Sequence, residues 1–256
     1  MLDTDSALAV IRGQRAIPTQ WRRRLLSVVA AICVGFLALT TVAMLVYPGG
    51  SFPITHTRGY QFFVNYFSDL GQTRTQSGAS NYPSMLLFST AVISVGLALA
   101  AFFVVFTSFV EKHATEPKAL RLNRIARRFG FVSAGGFVGL ALIPENVFAA
   151  GHFLCVQAAF NGLLVAIILE IVTLLRTATI SRWVLGVNAA FVVLLAAYIA
   201  LMIFGPSSQT LLGDEINVVS QKIIVYVAIS TIFAQSLVVR AHPLHPTEIV
   251  EVGIAA

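Results

Sequence analysis

The sequence predicts an all-α integral membrane protein, a bundle of about six transmembrane helices with a loop or short interfacial helix on its outer side. Three observations carry this. Apolar residues make up 57% of the 256 residues and charged ones only 11%. The apolar residues fall into six long runs, and the basic residues cluster in alternate gaps between them. A soluble domain usually carries about a quarter charged residues, so too few charges remain here to cover a water-facing surface. With a mean hydropathy of +0.83, the solvent for most of the chain is lipid.

Residues 1–24 form a basic tail ending in Trp21-Arg22-Arg23-Arg24, and the transmembrane domain occupies 25–240. The first span, 25–47, is long enough for a ~30 Å hydrocarbon core at ~1.5 Å per residue. It exceeds the ~7–15 apolar residues of a signal-peptide core and no small-x-small site follows, so a retained helix is expected. A polar segment, 48–83, forms the outer loop. The second span, 84–110, starts beside Asn81 and Pro83, since proline in a first helical turn gives up no needed hydrogen bond. The third, 129–144, is short and contains Gly130, Gly135, Gly136 and Gly139. Gly135 and Gly139 form a G-x-x-x-G pair suited to close packing inside the bundle rather than between molecules. Pro144-Glu145-Asn146 then leads to the fourth span, 147–175, making these two helices antiparallel neighbours. The fifth span is 183–204 and the sixth 217–239, followed by a polar tail, 241–256. Cys33 and Cys155 lie inside apolar runs and read as small buried hydrophobes rather than as a disulfide.

A net charge of +6 and a pI near 9.7 would invite a nucleic-acid partner in a soluble protein. Here the basic residues sit in short clusters between apolar runs, so membrane orientation accounts for them and no nucleic acid is expected. With the amino terminus inside, the inner side collects Arg12, Arg15, Arg22, Arg23, Arg24, Lys112, Lys118, Arg121, Arg124, Arg127, Arg128, Arg176, Arg182 and Arg240. Of the 17 Lys and Arg, only Arg58, Arg74 and Lys222 stay outside. Both termini are therefore expected in the cytoplasm and the protein in the cell membrane.

Transporters and pumps usually carry ionisable residues at mid-membrane, and the predicted span centres have none. His152 lies near the outer end of the fourth span, Glu170 near its inner end, and Lys222 in the outer third of the sixth. Polar groups gather instead at the outer boundary: His56, Arg58, Asn65, Ser68, Asp69 and Asn81 in the loop, Glu145 and Asn146 in the turn, then His152, Gln221 and Lys222. Four separate segments meet at one membrane level, which makes the outer mouth the natural place for a site. Within the loop, Phe62, Phe63, Tyr66, Phe67 and Leu70 recur at helical spacing ahead of Gly71, a suitable helix C-cap. A short interfacial helix is expected there, acting either as a lid over an amphiphile pocket or as a structural plug.

The stretches Tyr47-Pro48-Gly49-Gly50 and Asn65-Tyr66-Phe67-Ser68-Asp69-Leu70-Gly71, with Asn81, resemble the first-loop signature of the prokaryotic membrane proteins of domain-of-unknown-function family 998. The Ser-Asp-Leu-Gly core is also similar to the Ser-Asp-x-Gly element of the Frag/DRAM/Sfk membrane proteins. Ile143-Pro144-Glu145-Asn146 followed by His152 fits the family's proline–acidic turn and histidine, and Gln221-Lys222 its polar–basic pair. The resemblance implies the six-helix plan. It implies little about activity, beyond a tilt toward lipids drawn from the eukaryotic relatives.

Two main roles follow. In the first, the protein binds a lipid or amphiphile without chemistry: Arg58 or Lys222 pairs with a phosphate, Asp69 and Glu145 balance the charge, and Asn65, Asn81 and Gln221 complete the polar ring. The bland alternative is that these groups only fasten the loop to the bundle. In the second, a membrane-embedded lipid hydrolase or transferase uses His152 as general base, Asp69 to orient it and Ser68 as nucleophile. A metal version would recruit His56 and Glu145, but no metal motif appears, nor does H-E-x-x-H or G-x-S-x-G. A small transporter or a subunit of a membrane complex is the third reading. No cofactor is expected: only His152 lies within a span, which disfavours haem, and Lys222 in a six-helix chain does not suit retinal.

Overall fold

The computed structural model describes residues 17–52, 54–114, 116–177, 182–206 and 210–241. Most of both tails, with Arg12 and Arg15, lies outside them. The described residues form an all-α bundle of six long helices: α1 (Thr19–Val46), α2 (Tyr82–His113), α3 (Pro117–Leu142), α4 (Ala149–Thr177), α5 (Arg182–Phe204) and α6 (Leu211–Ala241). Each is long and apolar enough to cross a membrane, so this is a multi-pass membrane protein.

Most helices outrun the apolar stretches that predict them. α3 begins at Pro117 rather than near 129 and carries Lys118, Arg121, Arg124, Arg127 and Arg128 in its opening turns. Pro117 suits a first turn, and Ala119, Asn123, Ala126 and Gly130 are buried at helical spacing on its packed face. Hydropathy marks where lipid begins, whereas propensity and packing decide where the helix begins. For the same reason α6 starts at Leu211 rather than 217, which brings Asp214 and Glu215 into its first turns.

Each helix packs on its neighbours in sequence, and α6 returns against α1, closing a ring. The helices alternate in direction. One end of the bundle, the loop end, holds the segment between α1 and α2 and the turns after α3 and α5; the other, basic end holds Arg22 to Arg24 and the opening turns of α3. In lipid, apolar side chains gain little by leaving hydrocarbon for one another, so close approach depends on small residues and interhelical hydrogen bonds. The tightest pair follows this rule. A Cβ at Gly136 of α3 would lie 2.4 Å from the Ala159 nitrogen of α4, and one at Gly162 would lie 2.9 Å from the Ser133 nitrogen. The Ser133 hydroxyl donates to the Ala159 carbonyl at 2.7 Å. The expected Gly135–Gly139 pair is thus only half used: Gly139 meets the Cys155 sulfur, but Gly135 has open space at its Cβ position. Cys33 and Cys155 are free thiols.

The segment expected as one interfacial helix is a turn followed by a single 3₁₀ turn, Ser68–Gly71. Side chains claim the backbone groups that a helix would have used. Asn65 Oδ1 accepts from the Gln61 amide at 3.0 Å, and Asp69 Oδ2 from the Tyr66 amide at 3.0 Å. Gln221 Oε1 takes the Phe67 amide at 2.7 Å. The aromatic face splits accordingly: Phe62 and Phe63 are exposed, while Phe67 and Leu70 are buried. Phe67 sits among Phe36, Phe88 and Tyr226 with ring centroids 5.9, 5.7 and 5.8 Å away. It caps a void of about 60 Å³ inside the ring, room for a few waters and too small for an acyl chain.

Candidate functional site

The loop is held by a frame of its own polar groups. At Gly49 and Gly50 the backbone takes φ of 120° and 94°, and a Cβ at Gly49 would lie 2.2 Å from the Thr57 carbonyl. Only glycine fits that reversal. The Gly50 carbonyl accepts from the Tyr47 hydroxyl at 2.9 Å and from Asn65 Nδ2 at 2.8 Å. Fully buried Asn81 donates to the carbonyls of Asp69, Leu70 and Gln72 at 3.2, 3.2 and 2.8 Å. Lys222 of α6 donates to the Asn65 carbonyl and lies over the rings of Tyr60 and Phe62 at 5.5 and 5.2 Å.

This frame presents Asp69, which is 4% exposed. Its Oδ2 accepts from Asn65 Nδ2 at 2.9 Å as well as from the Tyr66 amide, and its Oδ1 accepts from Gln72 Nε2 at 3.2 Å. Burial pushes the carboxyl up to about 7; the Asn65 hydrogen bond opposes that shift and nearby Glu145 adds to it. Burial also raises the Tyr66 hydroxyl, with Asp214 beside it as a hydrogen-bond partner.

Beside Asp69 a cavity of about 650 Å³ opens between the loop, α4, α5 and α6, within the ~300–1,000 Å³ range of small-molecule sites. Tyr66, Ser68, Asp69 and Gln72 line it from the loop, Glu145 from the turn after α3, His152 from α4, and Asp214, Asn217 and Gln221 from α6. Val156 of α4 and Tyr198, Leu201 and Met202 of α5 give it an apolar wall. Among the described lining residues there is no Lys or Arg.

The predicted site residues divide in two. Ser68, Asp69, Glu145, His152 and Gln221 share this cavity. Asn65, Asn81 and Lys222 are buried in the loop frame instead, and Arg58 is exposed away from the cavity. The expected Asp69–His152 pair does not form: His152 Nδ1 lies 2.7 Å from the Ile143 carbonyl, while Asp69 is filled by Asn65, Tyr66 and Gln72. A carbonyl only accepts, so Nδ1 carries the proton and Nε2 of the neutral ring is an acceptor. No three His, Cys, Asp or Glu among the described residues come together as a metal site.

Sequence reasoning missed Tyr66, Gln72, Asp214 and Asn217 as lining groups. A signal for two of them was present: Asp214, Asn217 and Gln221 stand at i, i+3 and i+7, a polar stripe on one helical face. The sixth span was cut at 217 by its hydropathy, which hid the stripe. No protein-family model, curated protein or solved structure matches the chain.

Proposed function

We propose that this membrane protein binds a lipid or other amphiphile in the cavity between the loop, α4, α5 and α6. The observation that carries the reading is the split lining of that cavity: polar groups come from the loop, α4 and α6, whereas α5 contributes Tyr198, Leu201 and Met202. A head group fits the first wall and a chain the second. The resemblance of the Ser-Asp-Leu-Gly core to the Frag/DRAM/Sfk membrane proteins leans the same way, by analogy alone. The excess of Lys and Arg at the opposite end supports a cell-membrane protein with both termini in the cytoplasm and the cavity facing outward. Reporter tags at the termini should then be shielded in intact cells, and one at Gln76 reachable.

The binding reading is tested by purification in mild detergent and mass spectrometry of the co-purifying lipids, repeated with Leu201→Trp, which fills the apolar wall. Loss of a bound amphiphile from a folded variant supports the reading; an identical lipid complement in both overturns it. A second reading, a lipid hydrolase or transferase, draws on Ser68, Asp69 and His152 lining one cavity. An unprocessed lipid accumulating in cells that carry His152→Ala would favour it.

A further inference from the structure

The polar wall of the cavity offers donors at Ser68, Gln76 and Gln221, but its buried unfilled groups are acceptors. Asp214 is 3% exposed and Gln72 is 3% exposed, and Asp214 Oδ1 and Gln72 Oε1 each lack a hydrogen-bond partner. Both side chains line the cavity. A buried acceptor left without a donor is destabilising, so two at one site mark a place that a donor completes. His152 Nε2 is a third acceptor on the same wall, and Glu145 adds an exposed carboxylate at its rim. The cations that a phosphate would need are elsewhere: Lys222 is committed to the Asn65 carbonyl and two aromatic rings, and Arg58 is not a lining residue.

We infer that the head group taken by this cavity is a protonated primary amine carried on an apolar chain, its N–H donors meeting Gln72, Asp214 and His152 and its charge balanced by Asp214 and Glu145. This rests on the amphiphile reading and names the chemical class of its ligand. An ammonium supplies three donors and one positive charge, which matches both the unfilled acceptors and the carboxylates. A sulfate or phosphate head supplies neither.

The test uses the full chain in maltoside micelles and four probes: decylamine, decanol, decyl sulfate and ethylamine. Binding is measured by scintillation proximity, with empty micelles subtracted. Decylamine is expected to bind about tenfold or more tightly than decanol, the size of one charge-assisted hydrogen bond. Decyl sulfate and ethylamine should both bind more weakly than decylamine, and Asp214→Asn should erase most of the decylamine preference. Decanol or decyl sulfate binding as tightly as decylamine overturns the amine inference and leaves the amphiphile reading standing. Failure of all three decyl compounds to bind overturns both. Ethylamine binding as tightly as decylamine overturns the claim of an apolar chain. Should Asp214→Asn fail to fold, Glu145→Gln decides, because its side chain is exposed: a reduced preference for decylamine supports the inference, and a preference equal to that of the unaltered protein overturns it.

Discussion

Asp69 is held by three neutral donors rather than by a cation: Asn65 Nδ2, the Tyr66 amide and Gln72 Nε2. That environment fixes the sign of its pH dependence. The carboxyl titrates at 3.8 when unperturbed and near 7 in the fold. Between those values the folded protein keeps a proton that the unfolded chain has released, so the contribution of Asp69 to stability is greatest at low pH. It declines as pH rises through that window and levels off above it, where both states are ionised. Asp69→Asn removes the titration. Unfolding midpoints taken at about pH 5 and about pH 8 should therefore lie closer together in the variant than in the unaltered protein. An unchanged gap would assign the slope to another group. The importance of Asp69 was legible in the sequence as one polar residue among aromatics. Its partners were not, since Gln72 and the Tyr66 amide reach it only after the chain abandons helix at Asn65.

At the scale of elements, the α3–α4 pair sets the closest backbone approach. Gly136→Val would drive its side chain into the Ala159 nitrogen and Cα, which lie 2.4 and 2.8 Å from a mere Cβ, and into the Cys155 carbonyl at 2.8 Å. Backbone cannot step aside as a flexible side chain can, so the cost is at least the ~1–3 kcal/mol of overpacking. Gly135→Ala meets open space and gains helix propensity, up to ~1 kcal/mol. Denaturation in mixed micelles with rising dodecyl sulfate should place Gly136→Val well below the unaltered protein and Gly135→Ala at or above it. Equal destabilisation by both would mean that the helices meet on another face. The sequence announced a small-residue face on this helix and the antiparallel turn after it. Which glycine of the adjacent pair points inward depends on the rotation of α3 about its axis, and that is fixed where Ser133 of α3 meets Ala159 and Gly162 on the partner helix. Element ends were equally a matter of context, since the opening turns of α3 and α6 are charged and invisible to hydropathy.

For the whole molecule, the six spans were legible because lipid demands long apolar runs, while the ring they form was not, because little in an apolar run says which face meets which neighbour. The ring closes where α6 meets α1, and this brings the last helix over the first loop. Gln221 accepts from the Phe67 amide and Lys222 donates to the Asn65 carbonyl, contacts spanning 154 and 157 residues of chain. Both act on the turn that replaces the expected helix, just before Ser68–Gly71, so the last helix sets the shape of the cavity's roof. Asn81 and the Tyr47–Gly50 corner hold the loop independently of α6, and the helices themselves make no use of these two bonds. Gln221→Ala with Lys222→Ala should therefore loosen the loop without melting the bundle. Trypsin cuts after exposed Arg58 and Arg74, so the double variant should be nicked at those sites several-fold faster, with its helical circular dichroism unchanged. Equal nicking rates would place the whole of the loop's restraint in its own frame, and a loss of helical signal would make the α6–loop contact part of the bundle's core.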